Sequence, residues 1–483
     1  MPDPRVTLTQ KYSPQNRYAN FGPSLRTMKI NGFRGISDLE INLNFPVTGI
    51  SGLNGAGKST VGQLSLSAYK KPTTSTNYNR FYIREFFPAS VADPSPFTED
   101  ASIIYYYETD DRIIPKQVTV SRAASEWSGY KRQPERKCFY IGFTIYIPKV
   151  ERKDVSIYRG QDIVLTALRG IPEEIKTKVG RILGQQYDGL HFQSISHKGK
   201  TGELGIASRF GYTYSENNMG FGEGRVMYSV DLLENSPEQS LFVIEEPETS
   251  LHENAQFEFV RYLLDVCNRR HHQIILSTHS NIILEALPAE GRKLLLRDQQ
   301  GISIYDGLTS TRARSILSGG RARGLTVCVE DDFAKLLLTE MIRKIDPQLL
   351  KAIQIEPIGD TKAVRSAILL LTRLGKNALA VRDADKGPDI QNAIFSFPGQ
   401  YPPEKEVYLN NSVQAKLFED YAINVNDVFT DRDVTDHHKY TFELASEIEM
   451  LPDFLRTISI QKYIDDIGID AYRNLILEIQ KKA

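Results

Sequence analysis

The stretch that most constrains this chain is GLNGAGKST, Gly52 to Thr60. It satisfies G-x-x-x-x-G-K-S/T from Gly52 to Ser59, follows the apolar run FPVTGIS and precedes VGQLSLSAY. Glycines let successive backbone N–H groups turn inward around an anion, and a helix beginning at the end of the turn adds positive potential. A strand, this turn and a helix in sequence predict a cradle for nucleotide phosphates built from Asn54, Gly55, Ala56, Gly57, Lys58, Ser59 and Thr60. Lys58 is expected to pair with the β- and γ-phosphates, and Ser59 to offer its hydroxyl to Mg²⁺. The cofactors expected are therefore ATP and Mg²⁺.

Two further runs supply the chemistry such a cradle needs. LFVIEEPETSLH is an apolar strand that delivers Glu245 and Glu246 at its carboxyl end, where ligands bind in open α/β sheets. One carboxylate can hold the water shell of Mg²⁺ and the next can polarise the attacking water. QIILSTHS is a second buried strand, ending in His279, which is expected to sense the γ-phosphate. Strand, turn, helix and strand in this order predict a mostly parallel sheet with crossover helices.

Length and composition set the frame around these motifs. A chain of 483 residues predicts several domains. Hydrophobic content of 41% and charged content of 25% belong to a globular chain with an ordinary core. A net charge of −1 excludes a global basic field, so any nucleic-acid surface has to be a local patch. Cys138, Cys267 and Cys328 are too far apart for a zinc or disulfide pattern. No run has the apolar length to span a bilayer, and the polar N-terminus lacks a signal core. These features predict a cytoplasmic protein without a membrane partner.

Residues 1–26 read as an N-terminal arm and 27–317 as the ATPase domain. LRTMKINGFRGISDLEINL predicts a hairpin turning at Asn31-Gly32. KCFYIGFTIYIP is expected to form a hairpin and residues 160–186 a helix. The basic SGGRARG segment predicts a linker at 318–324. A smaller α/β domain follows at 325–400, then a mostly helical region at 401–483. In the smaller domain three strands end in Glu330, in Gly359-Asp360, and in Asp383 with Asp385. Carboxylates meeting at one sheet edge repel one another unless a divalent cation neutralises them. Asp383 and Asp385, one alternation step apart on an extended strand, would face the same way. That set suits Mg²⁺ or Mn²⁺ acting on a phosphodiester.

The P-loop, the acidic strand end and His279 together resemble the ABC-type ATPases of the SMC-like and OLD (overcoming lysogenisation defect) groups. The resemblance implies Glu245 as the Mg²⁺ ligand and Glu246 as the hydrolytic base, with Pro247 to His252 as the D-loop region. Met219 to Glu223 (MGFGE) resembles the signature segment that covers the partner subunit's nucleotide, with Gly220 standing where the family has serine. Gly220, Gly222 and Glu223 are then expected to contact nucleotide across a head-to-tail homodimer, which can assemble further. Arg34 resembles the family's hairpin arginine reaching towards nucleotide. Gln63, on the P-loop helix, is read as structural.

The second domain resembles TOPRIM, which implies Glu330 as an acid/base or metal residue and Asp383 and Asp385 as metal ligands. The family's Gly and following acid are replaced by Asp331 and Ala334, and Asp331 or Asp332 could take over. Lys362 and Lys386 could contact phosphate, and His437-His438 near Asp433 and Asp436 read as a helix start or a metal cluster. ABC-type ATPase, basic link, TOPRIM-like domain and helical region in this order resemble OLD-family endonucleases. The resemblance implies an ATP-hydrolysing, metal-dependent nuclease on nucleic acid, DNA first, in bacterial anti-phage defence, with a co-encoded partner. An ATP-dependent sensor or scaffold with a degenerate second domain is the alternative. An SMC-like repair ATPase is disfavoured by the absence of heptads, and a transporter motor by the second domain.

Overall fold

In the computed structural model the described residues are 3–75, 78–110, 114–123, 126–147, 163–197, 200–299, 301–318 and 323–483. They form two compact units, Met1–Leu308 and Thr309–Ala483. The division lies ahead of the 318–324 link, of which residues 319–322 fall outside the described residues.

The first unit holds three sheets. A five-stranded antiparallel sheet runs β2-β1-β4-β5-β6, where β1 is Leu25–Phe33, β2 Leu39–Asn42, β4 Phe97–Tyr107, β5 Lys116–Ala123 and β6 Glu126–Ser128. A six-stranded sheet runs β15-β14-β3-β13-β12-β7, from β3 (Val47–Gly52), β7 (Cys138–Ile141), β12 (Leu241–Glu245), β13 (Gln273–Thr278), β14 (Arg292–Asp298) and β15 (Gly301–Asp306). All its pairings are parallel except β14 with β15. The third, antiparallel, has the order β11-β10-β9-β8, with β8 Val164–Gly170, β9 Gly189–His197, β10 Lys200–Arg209 and β11 Tyr212–Ser215.

The central strands β3, β12 and β13 of the six-stranded sheet are buried on both faces, and their alternation divides two cores. Phe242 and Ile244 of β12 and Ile274 and Leu276 of β13 point into one, with Val260, Leu263 and Val266 of the helix Glu253–Arg270. Leu241, Val243 and Ile275 point into the other, with Val61 and Leu64 of the helix Lys58–Leu66 and Met28, Ile30 and Tyr105 of the five-stranded sheet. The P-loop helix is thus held between two sheets, and Tyr105 donates a 2.9 Å hydrogen bond to the Leu64 carbonyl.

Three local expectations are corrected. β1 runs on through Asn31-Gly32, pairing Ile30 with Leu39, and the turn falls at Arg34–Asp38, where Arg34, Gly35 and Asp38 have positive φ. Asn31 and Phe33 instead flank a register shift against β4. Residues 164–170 form strand β8 on β9, and the helix begins only at Glu173, after Pro172. The apolar alternation in VLTALRG suited either structure. Cys138–Ile141 pairs with β12 as a parallel edge strand and is not half of a hairpin.

In the second unit β16 (Leu325–Val329), β17 (Ile353–Pro357), β18 (Ala378–Arg382) and β19 (Ile394–Ser396) form a parallel sheet in the order β17-β16-β18-β19. One face packs Val364 and Ile368 of the helix Thr361–Arg373 over Cys328 and Ala380. The other joins the helix Asp332–Ile345 and the helices after residue 403, through Leu417, Leu455, Ile460, Ile464 and Ile476, in one core. Residues 401–483 therefore belong to the same compact body as the sheet.

Candidate functional site

Parallel registry places the first site. Ser51 of β3 stands opposite Thr278 of β13, and Ser277 stands opposite Glu245 of β12. The carboxyl ends of three adjacent strands, spaced about 4.8 Å apart, thus open on the turn of residues 52–57. Gly57 caps the helix Lys58–Leu66 at φ 99°, a conformation costly for any side chain, and an added Cβ would lie 3.2 Å from Ile36 Cδ1. Gly55 has open space where a Cβ would stand, and Asn54 and Ser59 are exposed, while Ala56 and Thr60 are buried.

Lys58 is 7% exposed and donates to the Gly52 and Leu53 carbonyls at 2.9 and 3.2 Å. Burial lowers its pKa, and Glu246 and Glu248 oppose that shift, so three charges bear on one another at the mouth of the turn. Glu245, 9% exposed, accepts a 2.6 Å hydrogen bond from Tyr140 on Oε2. Its Oε1 has no partner; neither have Glu248 Oε2, Ser51 Oγ, Ser277 Oγ and Gln63 Oε1. Buried polar atoms left without partners are costly, and several together at one strand edge fit a cation and phosphate oxygens. Glu246 has φ 42°, and its Oε1 lies 3.5 Å from His279 Nε2. Glu248 Oε1 accepts from Thr278 Oγ1 at 2.9 Å and from the His279 amide at 2.5 Å, fixing the end of β13.

The signature-like segment opens the helix Phe221–Asn235, with Gly220 at its N-cap. Gly222 allows close packing, because a Cβ there would stand 2.6 Å from the Ser250 carbonyl. Glu223 accepts from Tyr187 at 2.8 Å and Tyr214 at 2.7 Å, both on Oε1. Arg225, 3% exposed, donates to the carbonyls of Glu245 (2.5 Å), Glu246 (2.9 Å) and Thr249 (3.4 Å). It ties this helix to the acidic strand end.

Arg34 donates to the Phe86 carbonyl at 3.1 Å and lies over the Phe87 ring. Arg297 of β14 bridges it to the phosphate turn, donating to the Arg34 carbonyl at 3.1 Å and to the Gly55 carbonyl at 2.8 Å. Tyr140, Arg225 and Arg297 carry no motif in sequence. Only Arg225, two residues past Glu223, stood near one.

The second unit gathers acids at the end of its sheet. Glu330 accepts from Thr361 Oγ1 at 3.1 Å. Asp383 is pushed up to about 7 by burial, then by the charges of Glu330, Glu404, Asp331 and Asp385. Asp383 and Asp385 do not share a strand face: β18 stops at Arg382, and Ala384–Lys386 form a 3-10 turn. Asp385 pairs with Lys386 at 2.6 Å. Asp360 turns away to cap the helix Thr361–Arg373, and Lys362 is exposed. Asp331 caps the helix Asp332–Ile345 through Oδ1, and Ala334 is fully buried, so no acid stands at that position.

Glu404, 4% exposed and next to Pro403, is the residue that sequence reading missed. Burial and then Asp331 raise it to about 7. Its Oε1 lies 3.2 Å from His438 Nδ1, so the histidine pair faces Glu404 and not Asp433. Asp383, half-buried, thus feels the charges of Glu330, Glu404, Asp331 and Asp385, a concentration of acids that a divalent cation would relieve.

Residues 168–284 match the family described as an AAA ATPase domain, and residues 27–124 match an AAA domain. Among curated proteins none matches the chain. The SMC head domain from Thermotoga maritima aligns at 18% identity over 58% of this chain and 98% of its own length, with a TM-score of 0.35. The Smc head domain with an extended coiled coil bound to the C-terminal domain of ScpA, from Pyrococcus furiosus, aligns at 12% identity over 62% of this chain and 100% of its own, with a TM-score of 0.38. No helix among the described residues is long and apolar enough to cross a membrane. Both matched segments lie in the first unit, around the Lys58 turn and the Glu245 strand end, and they support ATPase activity there.

Proposed function

We propose that the chain is an ATP-controlled, divalent-metal-dependent endonuclease of OLD type. Its substrate is nucleic acid, DNA first, and its setting is cytoplasmic anti-phage defence with a co-encoded partner. The observation that carries this reading is the half-buried Asp383 at the end of β18, whose carboxyl is raised by burial and by the charges of Glu330, Glu404, Asp331 and Asp385. A Mg²⁺ or Mn²⁺ ion bound there supplies the positive charge and activated water that phosphodiester hydrolysis needs. Asp383 and Asp385 hold the ion, and Glu330, kept in place by Thr361, holds it from the neighbouring strand or moves a proton. Among these residues no Ser, Tyr or Cys nucleophile stands ready, which favours direct hydrolysis.

In the first unit Lys58 and the backbone of residues 54–60 bind the nucleotide phosphates. Ser59 and Glu245 hold Mg²⁺, Glu246 orients water, and His279 reads the γ-phosphate. Gly220, Gly222 and Glu223 face the second nucleotide of a head-to-tail homodimer, and ATP binding closes that dimer and controls cutting.

Cleavage of plasmid and single-stranded DNA with Mg²⁺ or Mn²⁺, with and without ATP, tests the reading. Metal-dependent cutting that disappears in Asp383→Ala is the expected result. No cutting under any of these conditions rejects it in favour of an ATP-dependent sensor. That second reading draws on two observations: buried Ala334 where the family has an acid, and Asp385 already paired with Lys386. Lys58→Ala should abolish nucleotide binding, and Glu246→Gln should trap an ATP-bound dimer.

A further inference from the structure

We infer that His437, His438 and Glu404 form a cation site of their own, with a nitrogen-rich donor set suited to Zn²⁺ or a similar transition metal. One ligand atom from each of the three lies within 4.8 Å of the others. His438 Nδ1 is 3.2 Å from Glu404 Oε1. Two donors bound side by side at about 2.1 Å from one cation stand roughly 3.0–3.5 Å apart, so this pair needs almost no movement to share a metal. The His437 and His438 ring centroids lie 4.1 Å apart with the planes tilted by 37°, so the second imidazole stands beside the first.

The surroundings favour a cation over a simple ion pair. Glu404 is 4% exposed, so its charge is poorly served by water. Asp331 commits Oδ1 to the Ala334 amide and keeps Oδ2 3.6 Å from His438 Nδ1, adding a second negative charge beside the imidazole. The charges bearing on the two histidines include Glu404, Asp331 and Asp436, against Lys405. Two adjacent imidazoles both charged repel each other, whereas two neutral imidazoles and a carboxylate around a divalent ion do not. Imidazole donors select Zn²⁺, Co²⁺ or Ni²⁺ over Mg²⁺, which takes oxygen ligands. The metal joins the turn His437–Lys439 to the helix Pro403–Tyr408.

This inference does not depend on phosphodiester cleavage, and its test reads no cleavage. Tag-free full-length protein is stripped with chelator and titrated calorimetrically with Zn²⁺, and Co²⁺ is followed by its visible absorption. Wild type and Asp383→Asn should each bind one Zn²⁺ per chain that excess Mg²⁺ does not displace. His437→Ala/His438→Ala and the milder His438→Gln should weaken that binding by about 10- to 100-fold or more. Metal-free thermal unfolding shows whether each variant is folded, and the exposed His438 makes the glutamine variant the safer one. The proposal is overturned if wild type binds neither Zn²⁺ nor Co²⁺, or if the folded His438→Gln and double variants bind Zn²⁺ as wild type does.

Discussion

Tyr140 donates its phenol proton to Glu245 Oε2 across 2.6 Å, from an edge strand to the acidic end of its parallel neighbour. The bond leaves Oε1 as the open oxygen of that carboxylate. A hydrogen bond to a charged group contributes about 1.5–3 kcal/mol. Tyr140→Phe should therefore leave ATP binding nearly intact while raising the Mg²⁺ concentration needed for half-maximal ATP hydrolysis by about 10-fold. ATPase rates across a Mg²⁺ titration check this, and an unchanged curve would show that Tyr140 does not orient Glu245.

Arg225 links the signature-like helix to the acidic strand end through three backbone carbonyls. Methionine there keeps the apolar stem and strands the carbonyls of Glu245, Glu246 and Thr249. Each buried group left unpaired costs about 1–3 kcal/mol, so Arg225→Met should destabilise the first unit by at least about 2 kcal/mol. Thermal unfolding of that unit is the measurement. ATP hydrolysis should fall further than the loss of folded protein accounts for, because the backbone at φ 42° on Glu246 is held partly by this side chain.

Glu248 offers a separate test of how His279 is placed. Its Oε1 takes both the Thr278 hydroxyl and the His279 amide. Glu248→Ala removes an acceptor from two donors at once and frees the end of β13. The expected result is ATP binding close to wild type, with hydrolysis reduced at least about 10-fold. A similar loss in His279→Ala, with no further loss in the double variant, would show that the two act as one unit.

The parts of this architecture legible in sequence were those with a local period or a local motif. GLNGAGKST between a strand and a helix, and the uninterrupted apolar runs ending in Glu245 and Thr278, fixed a buried parallel sheet with its ligand edge. The restarted alternation after residue 325 did the same for the second sheet. What escaped depended on contacts distant along the chain. Tyr140 reaches Glu245 from 105 residues away, and Arg297 reaches Gly55 from 242. Glu404 lies behind a Pro-Pro turn and joins the acids only because the later helices share the core of the sheet. VLTALRG was misread because its apolar spacing fits a strand as well as a helix, and the Pro172 break came after it.

The acidic group in the second unit should make stability depend on pH in a direction opposite to that of an ordinary salt-bridged carboxylate. Asp383 moves from its ordinary 3.8 up to about 7 in the folded chain, chiefly through burial and then through Glu330 and Glu404. Between those values the folded state keeps a proton that the unfolded state has released. Stability from this group is thus complete below about pH 4 and is lost as pH rises through about 7. Glu404, also raised to about 7, acts in the same sense. In chelator, the melting temperature of the second unit should fall between pH 5.5 and pH 8 (values on the order of one unit either side of the transition). Asp383→Asn should flatten that fall, since an amide carries no charge to repel its neighbours. Mn²⁺ added to wild type at the upper pH should restore the lost stability by binding the deprotonated group, and should do so far less in Asp383→Asn. A melting temperature that rises over this interval in chelator would mean that the carboxylates are ionised and solvated at neutral pH, with no site poised to take a cation.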